Sequence, residues 1–238
     1  MITKVLLAAI AAGAVSTTDP ASLIYRFDEV KSKVYRSPAG DEKKETRVSA
    51  GESGVSGDLV RIGFWARTVL AVPERKARFE IGASARARLA GGEPGVLLIL
   101  EKGRLKAFFE KLTEGAPVER TVAAPGALLA VRGTRYGLEV GGDGKSLLAV
   151  FEGTVEVIPT SPGFVPILVR ANEACTFGPK AAPHSMPMKA MGMSEGSWGM
   201  RGGMGGMGQM PGKGPGSAMP QSPGGSMHGG SPMGTKKQ

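Results

Sequence analysis

Between Tyr25 and Pro179, short apolar segments are interrupted by glycine, proline or aspartate every eight to twelve residues. Helices of ordinary length do not fit between such breaks, whereas strands of about four to eight residues do. The spacing predicts an all-β domain, built as a β-roll or sandwich or as a solenoid-like stack of strands. The expected strands are Glu29–Tyr35, Asp58–Ile62, Ala66–Val72, Arg78–Ile81, Arg86–Ala90 and Val96–Glu101, followed by Val118–Val122, Leu128–Val131, Tyr136–Val140, Leu147–Phe151, Thr154–Ile158 and Pro166–Val169. In several of them the alternation is clean. Phe79 and Ile81 point to one side while Arg78 and Glu80 point to the other, as the period of two in a pleated strand demands.

Two segments fit the pattern less well. Residues 36–57 are polar and carry a charge cluster, which predicts a solvated hairpin tip or loop. Residues 104–112 place Leu105, Phe108, Phe109 and Leu112 at helical spacing, yet Leu105, Ala107 and Phe109 also alternate. The hairpin-like TEGAP after them favours a strand. The run Gly141-Gly142-Asp143-Gly144-Lys145-Ser146 superficially suggests a phosphate cradle. It lacks the glycine five positions before Gly-Lys, and the residues after it are strand-like rather than helical. Asp-Gly supplies the conformation a tight turn needs, so a hairpin is predicted. A G-x-G-x-x-G match at 203–208 has neither the strand before it nor the helix after it that a dinucleotide site requires.

The two ends of the chain differ from the middle. Eleven of the twelve methionines lie at Met186 or later, in a Gly/Met/Pro-rich stretch almost devoid of Leu, Ile and Val. Such a composition buries little apolar surface, and a disordered tail over residues 180–238 is expected. At the other end, Lys4, the apolar run Val5–Ala12 and the small residues Ala12-Gly13-Ala14 have the form of a signal peptide cut near Ala14. The expected location is periplasmic or extracellular, with no membrane span in the mature chain. Between the ends, residues 15–49 supply an N-terminal strand and polar loop, and 50–179 the main β domain. Cys175 is the only cysteine, so no internal disulfide forms, and burial as a small hydrophobe is expected. The net charge of +9 is shared between the tail and a middle region of 24 basic and 20 acidic residues. With aromatics at only 5% of the chain, nucleic acid is a poor partner. An envelope protein or an anionic surface polymer fits better.

Residues 57–91 and 122–157 together resemble the FecR domain family. The likeness rests on a Gly57-Asp58 turn, a segment from Gly63 to Leu70, an apolar strand ending at Gly103, and the pieces Val131-Arg132-Gly133-Thr134 and Glu152-Gly153-Thr154-Val155. The resemblance implies an all-β domain, which in the best-known members lies in the periplasm. There it takes a signal from an outer-membrane siderophore receptor and passes it to an anti-sigma region. This sequence shows neither an anti-sigma region nor a central apolar span, so the expectation is a stand-alone exported domain. The motif residues Gly57, Asp58, Gly63, Arg132, Gly133, Thr134, Glu152 and Gly153 are read as structural. The glycines suit bulges or close backbone approach, and Arg132 has Glu152, Glu139 or Glu156 as cross-sheet partners.

The resulting expectation is a non-enzymatic binding or sensory-scaffold protein of the envelope without a cofactor. Two alternatives stay open. His184, Met186, Met188, Met191 and Met193 could supply soft ligands for Cu(I) or Ag(I). A hydrolase would need only two carboxylates across a cleft, although no pair is singled out and no catalytic residue is assigned.

Overall fold

The computed structural model describes residues 23–90, 95–111 and 120–198. The expected export segment and the tail beyond 198 lie outside the described residues. Seventeen strands form one hydrogen-bonded network, mixed in direction, with no α-helix among the described residues. In chain order they are β1 Ile24–Lys31, β2 Val34–Ser37, β3 Thr46–Arg47, β4 Ser53–Val55, β5 Leu59–Ile62, β6 Arg67–Val72, β7 Ala77–Ile81, β8 Arg86–Leu89 and β9 Val96–Phe109. The second half adds β10 Thr121–Ala124, β11 Ala127–Val131, β12 Arg135–Val140, β13 Ser146–Glu152, β14 Thr154–Pro159, β15 Ile167–Arg170, β16 Glu173–Gly178 and β17 Ala181–Pro187.

The pairings divide this network into two faces. One runs β4-β1-β6-β7-β9-β12-β13-β16-β17 and is antiparallel throughout. The other runs β3-β2-β5-β8-β9-β10-β11-β14-β15, with β9 and β10 parallel. Strand β9 belongs to both. Its first half pairs with β8 and β10, its second half with β7 and β12. The chain crosses from face to face at the two ends of the molecule, and one continuous core fills the space between.

The burial pattern along β9 shows how one strand serves both faces. Leu98 and Leu100 point inward in the first half, whereas Leu105, Ala107 and Phe109 do so in the second. Inward positions thus change from even to odd numbers. The register against β8 shows where the phase changes: Ala87 is opposite Leu100 and Arg86 is opposite Lys102, so Glu101 is an extra residue on β9, a β-bulge that shifts the alternation by one and bends the strand. Gly103 follows two residues later, with φ +95°, and lies so close to the residue before β8 that a Cβ there would be 2.5 Å from Ala85 Cα. The ambiguous segment 104–112 is therefore strand through Phe109.

The aromatic centre of the core depends on this register. Phe109 lies edge-on to Phe79 at 5.7 Å and stacked with Tyr136 at 6.1 Å, geometries worth about 1 kcal/mol each beyond simple burial. Tyr25 is buried and its hydroxyl donates to the Ala90 and Leu97 carbonyls. Cys175 is buried as expected, and burial pushes its thiol up to about 12. The phenols of Tyr25 and Tyr136 are raised for the same reason.

The Gly141–Lys145 run is the β12–β13 hairpin. Gly141 N–H donates to the Lys145 carbonyl at 2.8 Å, Gly144 N–H to the Gly141 carbonyl at 3.2 Å, and Lys145 N–H to Asp143 Oδ1 at 3.1 Å.

Three expectations need correction. The segment Glu29–Tyr35 is two strands on opposite faces, reversed at Ser32, which adopts φ 69° with no glycine or proline to announce it. Residues 36–57 are more than a loop. They contain β3 and β4, bury Val48, and are tied down where Glu42 meets Arg86 at 2.7 Å and Arg88 at 2.8 Å. The first strands also share the main core through Tyr25, Phe27 and Val34.

The third correction concerns the chain after residue 180. Strand β17 pairs with β16, and a 3-10 turn, Met188–Met191, comes after it. Residues 188–198 then lie against the outer side of β12, β13 and β16. There Met188, Met193 and Trp198 form a second apolar cluster with Leu147, Ala149 and Ala174. Gly137 on β12 makes room for the indole, since a Cβ at that position would be 2.3 Å from Trp198 Cε2. Composition is a poor guide to this stretch because a few large apolar groups suffice when a prepared flat surface awaits them.

Gly103→Ala is expected to cost about 3 kcal/mol, from backbone strain and the collision with Ala85, measured as a lowered midpoint in urea. Burial of Cys175, Tyr25 and Tyr136 sets the sign of a pH effect. The unfolded thiol and phenols ionise near their ordinary values while the folded ones resist, so stability is full below about pH 9 and falls as pH rises towards 12. Equilibrium unfolding against pH, with Cys175 refusing iodoacetamide until the chain unfolds, checks this.

Candidate functional site

The end of the molecule where β6 turns into β7 holds an open cleft of about 870 Å3. Three chain segments build its floor. A 3-10 turn, Pro73–Arg75, joins β6 to β7 and ends at Lys76 with φ 48°. Glu110 N–H donates to the Lys76 carbonyl at 3.1 Å, and Phe109 N–H donates to the Thr134 carbonyl at 2.9 Å. The end of β9 is thus bonded on both sides, to the β6–β7 turn and to the link between β11 and β12.

This is where the motif pieces Val131–Thr134 and Glu152–Val155 meet. Gly133, Thr134 and Glu152 line the cleft. Gly153 packs beside them, and a Cβ on it would be 2.7 Å from Thr134 Cγ2. Gly133 in turn lets Lys111 approach, since its Cβ would be 2.8 Å from Lys111 Cγ.

Two of the three partners expected for Arg132 are engaged elsewhere. Glu152 lies 3.8 Å from both Lys111 and Arg135, and Glu139 pairs with Arg104 at 3.1 Å, while Arg132 itself is exposed. The remaining motif residues lie apart from the cleft. Asp58 is buried, accepts from Val55 N–H at 3.1 Å and faces Arg36 at 3.4 Å, so it braces a turn. Gly57 precedes it, donating to the Leu89 carbonyl at 2.7 Å. Gly63 is at the opposite end of the molecule, donating to the Lys33 carbonyl at 2.9 Å.

Five cationic side chains line the cleft: Arg26, Lys76, Arg78, Lys111 and Arg135. Two carboxylates, Glu110 and Glu152, line it with them. The arginines have further partners outside the lining: Asp28 on Arg26 at 2.6 Å, Glu29 on Arg78 at 3.5 Å and Glu195 on Arg135 at 3.3 Å. Lys76, with no carboxylate within ion-pair distance among the described residues, and Lys111, with only Glu152 at 3.8 Å, are the cations open to an anionic ligand. The Thr134 hydroxyl and Arg135 Nε are buried without a hydrogen-bond partner among the described residues, so both are donors already withdrawn from solvent. Behind the floor lies Arg120, which no sequence pattern marked. It is 1% exposed, its guanidinium lies 5.3 Å over the Phe109 ring, and Nη1 donates to the Glu110 carbonyl at 2.8 Å. Burial lowers its affinity for the proton, and Glu110 opposes that effect. A buried guanidinium with spare donors reinforces the positive character of the site from within.

The five residues considered for soft metals lie on β17 and the segment after it. His184 is exposed, Met186 half-buried, and Met188 and Met193 are packed with Trp198, with Met191 beside them. A smaller cleft of about 420 Å3 borders that segment between Phe151, Asn172 and Met188. Its Glu195 reaches Arg135 at 3.3 Å, linking the C-terminal segment to the rim of the larger cleft. Among the described residues no group of three His, Cys, Asp or Glu side chains is placed to hold a metal, and no helix is long and apolar enough to cross a membrane.

No family model matches the chain. Curated relatives include the LexA repressors of two strains of Cereibacter sphaeroides, each 28% identical over 154 residues, an alignment covering 56% of this chain and 68% of the relative. Similar solved structures include a candidate anti-sigma factor from Parabacteroides distasonis, determined at 1.65 Å and again at 2.50 Å. Both superpose with a TM-score of 0.44 at 14% identity over 56% of this chain, which spans 62% of their length.

Proposed function

We propose that this chain is a non-enzymatic FecR-type binding module of the cell envelope, whose cationic cleft takes an acidic segment of a partner protein. One observation carries the reading. The two most specific motif pieces, Val131–Thr134 and Glu152–Val155, meet at a cleft lined by five cations, of which Lys76 has no carboxylate within ion-pair distance among the described residues and Lys111 only Glu152 at 3.8 Å. The cleft floor is fixed by backbone hydrogen bonds between three segments, so a ligand meets a rigid surface and little ordering is required on binding. Location in the envelope is supported by Lys4 and the apolar run after it, and the FecR resemblance supports a role in relaying the presence of a partner. Glu110 and Glu152 both line the cleft, but Glu152 is held between Lys111 and Arg135.

Lys76→Glu with Lys111→Glu tests the reading. Neither side chain is needed by the core, and Lys111 is 80% exposed. Binding of a fluorescent polyglutamate peptide is expected to weaken by about tenfold or more, with a shallower dependence on salt. Equal binding by both proteins, or a preference for a polyuronate chain over the peptide, overturns it.

A further inference from the structure

At the end opposite the cleft, the connection between β5 and β6 presents two aromatic side chains to solvent. Phe64 is 71% exposed and Trp65 is 85% exposed, their rings edge-on at 4.9 Å. Every other tryptophan or phenylalanine among the described residues is at least partly buried. The turn beneath the rings is firmly held. Gly63 N–H donates to the Lys33 carbonyl at 2.9 Å, Ser84 N–H to the Gly63 carbonyl at 3.1 Å, and Ala66 N–H to the same carbonyl at 3.1 Å. Ala66 is buried under it. Neighbouring turns thus hold the two rings outward, and large apolar groups displayed on a rigid support mark a contact surface.

The charges around the rings indicate what they contact. Lys31 and Lys33 lie on the adjacent turn, and Lys102 is in mid-β9, opposite Arg86 at the start of β8. All three are exposed, and none has a carboxylate within ion-pair distance among the described residues. Glu29 and Glu80 are both paired with Arg67, and Glu101, next to Lys102 in the chain, is paired with Arg86 and Arg88. At the same end, the connection between β14 and β15 exposes Val165. Apolar rings ringed by unpaired lysines match the layered chemistry of a bilayer surface. Aromatic groups settle at the level of the headgroups, and ammonium groups meet lipid phosphates just above.

We infer that this end of the molecule docks on an anionic lipid bilayer, with Phe64 and Trp65 entering the headgroup region and Lys31, Lys33 and Lys102 engaging lipid phosphates. The opposite end then faces away from the membrane. The inference does not depend on what occupies the cleft.

The full-length protein and its Phe64→Ser, Trp65→Ser variant are compared for sedimentation with vesicles of phosphatidylcholine, alone or with about 30% phosphatidylglycerol. Both changes are at exposed positions, and matching circular dichroism shows that the fold is kept. Apolar residues near the N-terminus and lysines near the C-terminus are present in both proteins and contribute equally. Binding to the anionic vesicles is expected to weaken by about tenfold or more in the variant, and in the parent as salt is raised. The emission of the parent should shift to the blue on adding these vesicles, and that of Trp65→Phe should not. Equal sedimentation of parent and variant, absence of binding to the anionic vesicles, or an unshifted emission each overturns the inference. So does retention of an envelope protein that needs Phe64 and Trp65 while vesicles are ignored.

Discussion

Because β9 runs unbroken from Val96 to Phe109, the register of each face is fixed by the other. Slipping its first half against β8 would drag its second half against β7 and β12. The bulge at Glu101 makes the arrangement possible, by turning Leu98 and Leu100 on one wall and Leu105 and Phe109 on the other towards the same interior. A roll closed by one shared strand has no separable half. Its core is expected to form as one cooperative unit, with slow long-range pairing preceding most of the burial.

The strand pattern was legible wherever apolar and polar residues alternated between glycine or proline breaks. The hairpin around Asp143 and the strand character of Leu105–Phe109 could both be read in this way. Elsewhere the turns were silent. Ser32, Lys76 and Ser84 all have positive φ, a conformation that none of them adopts as freely as glycine or asparagine does. The cleft was half visible. Gly133, Thr134, Glu152 and Gly153 could be marked from the motif, but Arg26, Lys76 and Arg78 reach the cleft, and Arg120 lies behind its floor, from distant segments with no local signature. Such a set emerges only from the crossing pattern of the faces.

That crossing pattern also explains why the ends of the molecule differ so much. Strands spend their side chains on the core and on water-facing ion pairs such as Arg61 with Glu45 at 2.6 Å, pairs that contribute little to stability. The connections are free to vary, and function concentrates on them. One end gathers cations around a recess; the other displays two rings beside lysines. A chain so built can hold two kinds of surface at opposite poles without either disturbing the core between them.

The contact between Trp198 and Gly137 has a consequence for divergence of the sequence. The indole occupies the space where any side chain at 137 would begin. An aromatic at 198 and a non-glycine at 137 are therefore mutually exclusive, though sixty-one positions separate them. A descendant that gains a side chain on β12 must release the C-terminal segment, baring Leu147 and Ala149. One that loses the indole frees position 137 to drift. The two sites should change together or not at all, a paired constraint that neither half of the chain would reveal by itself.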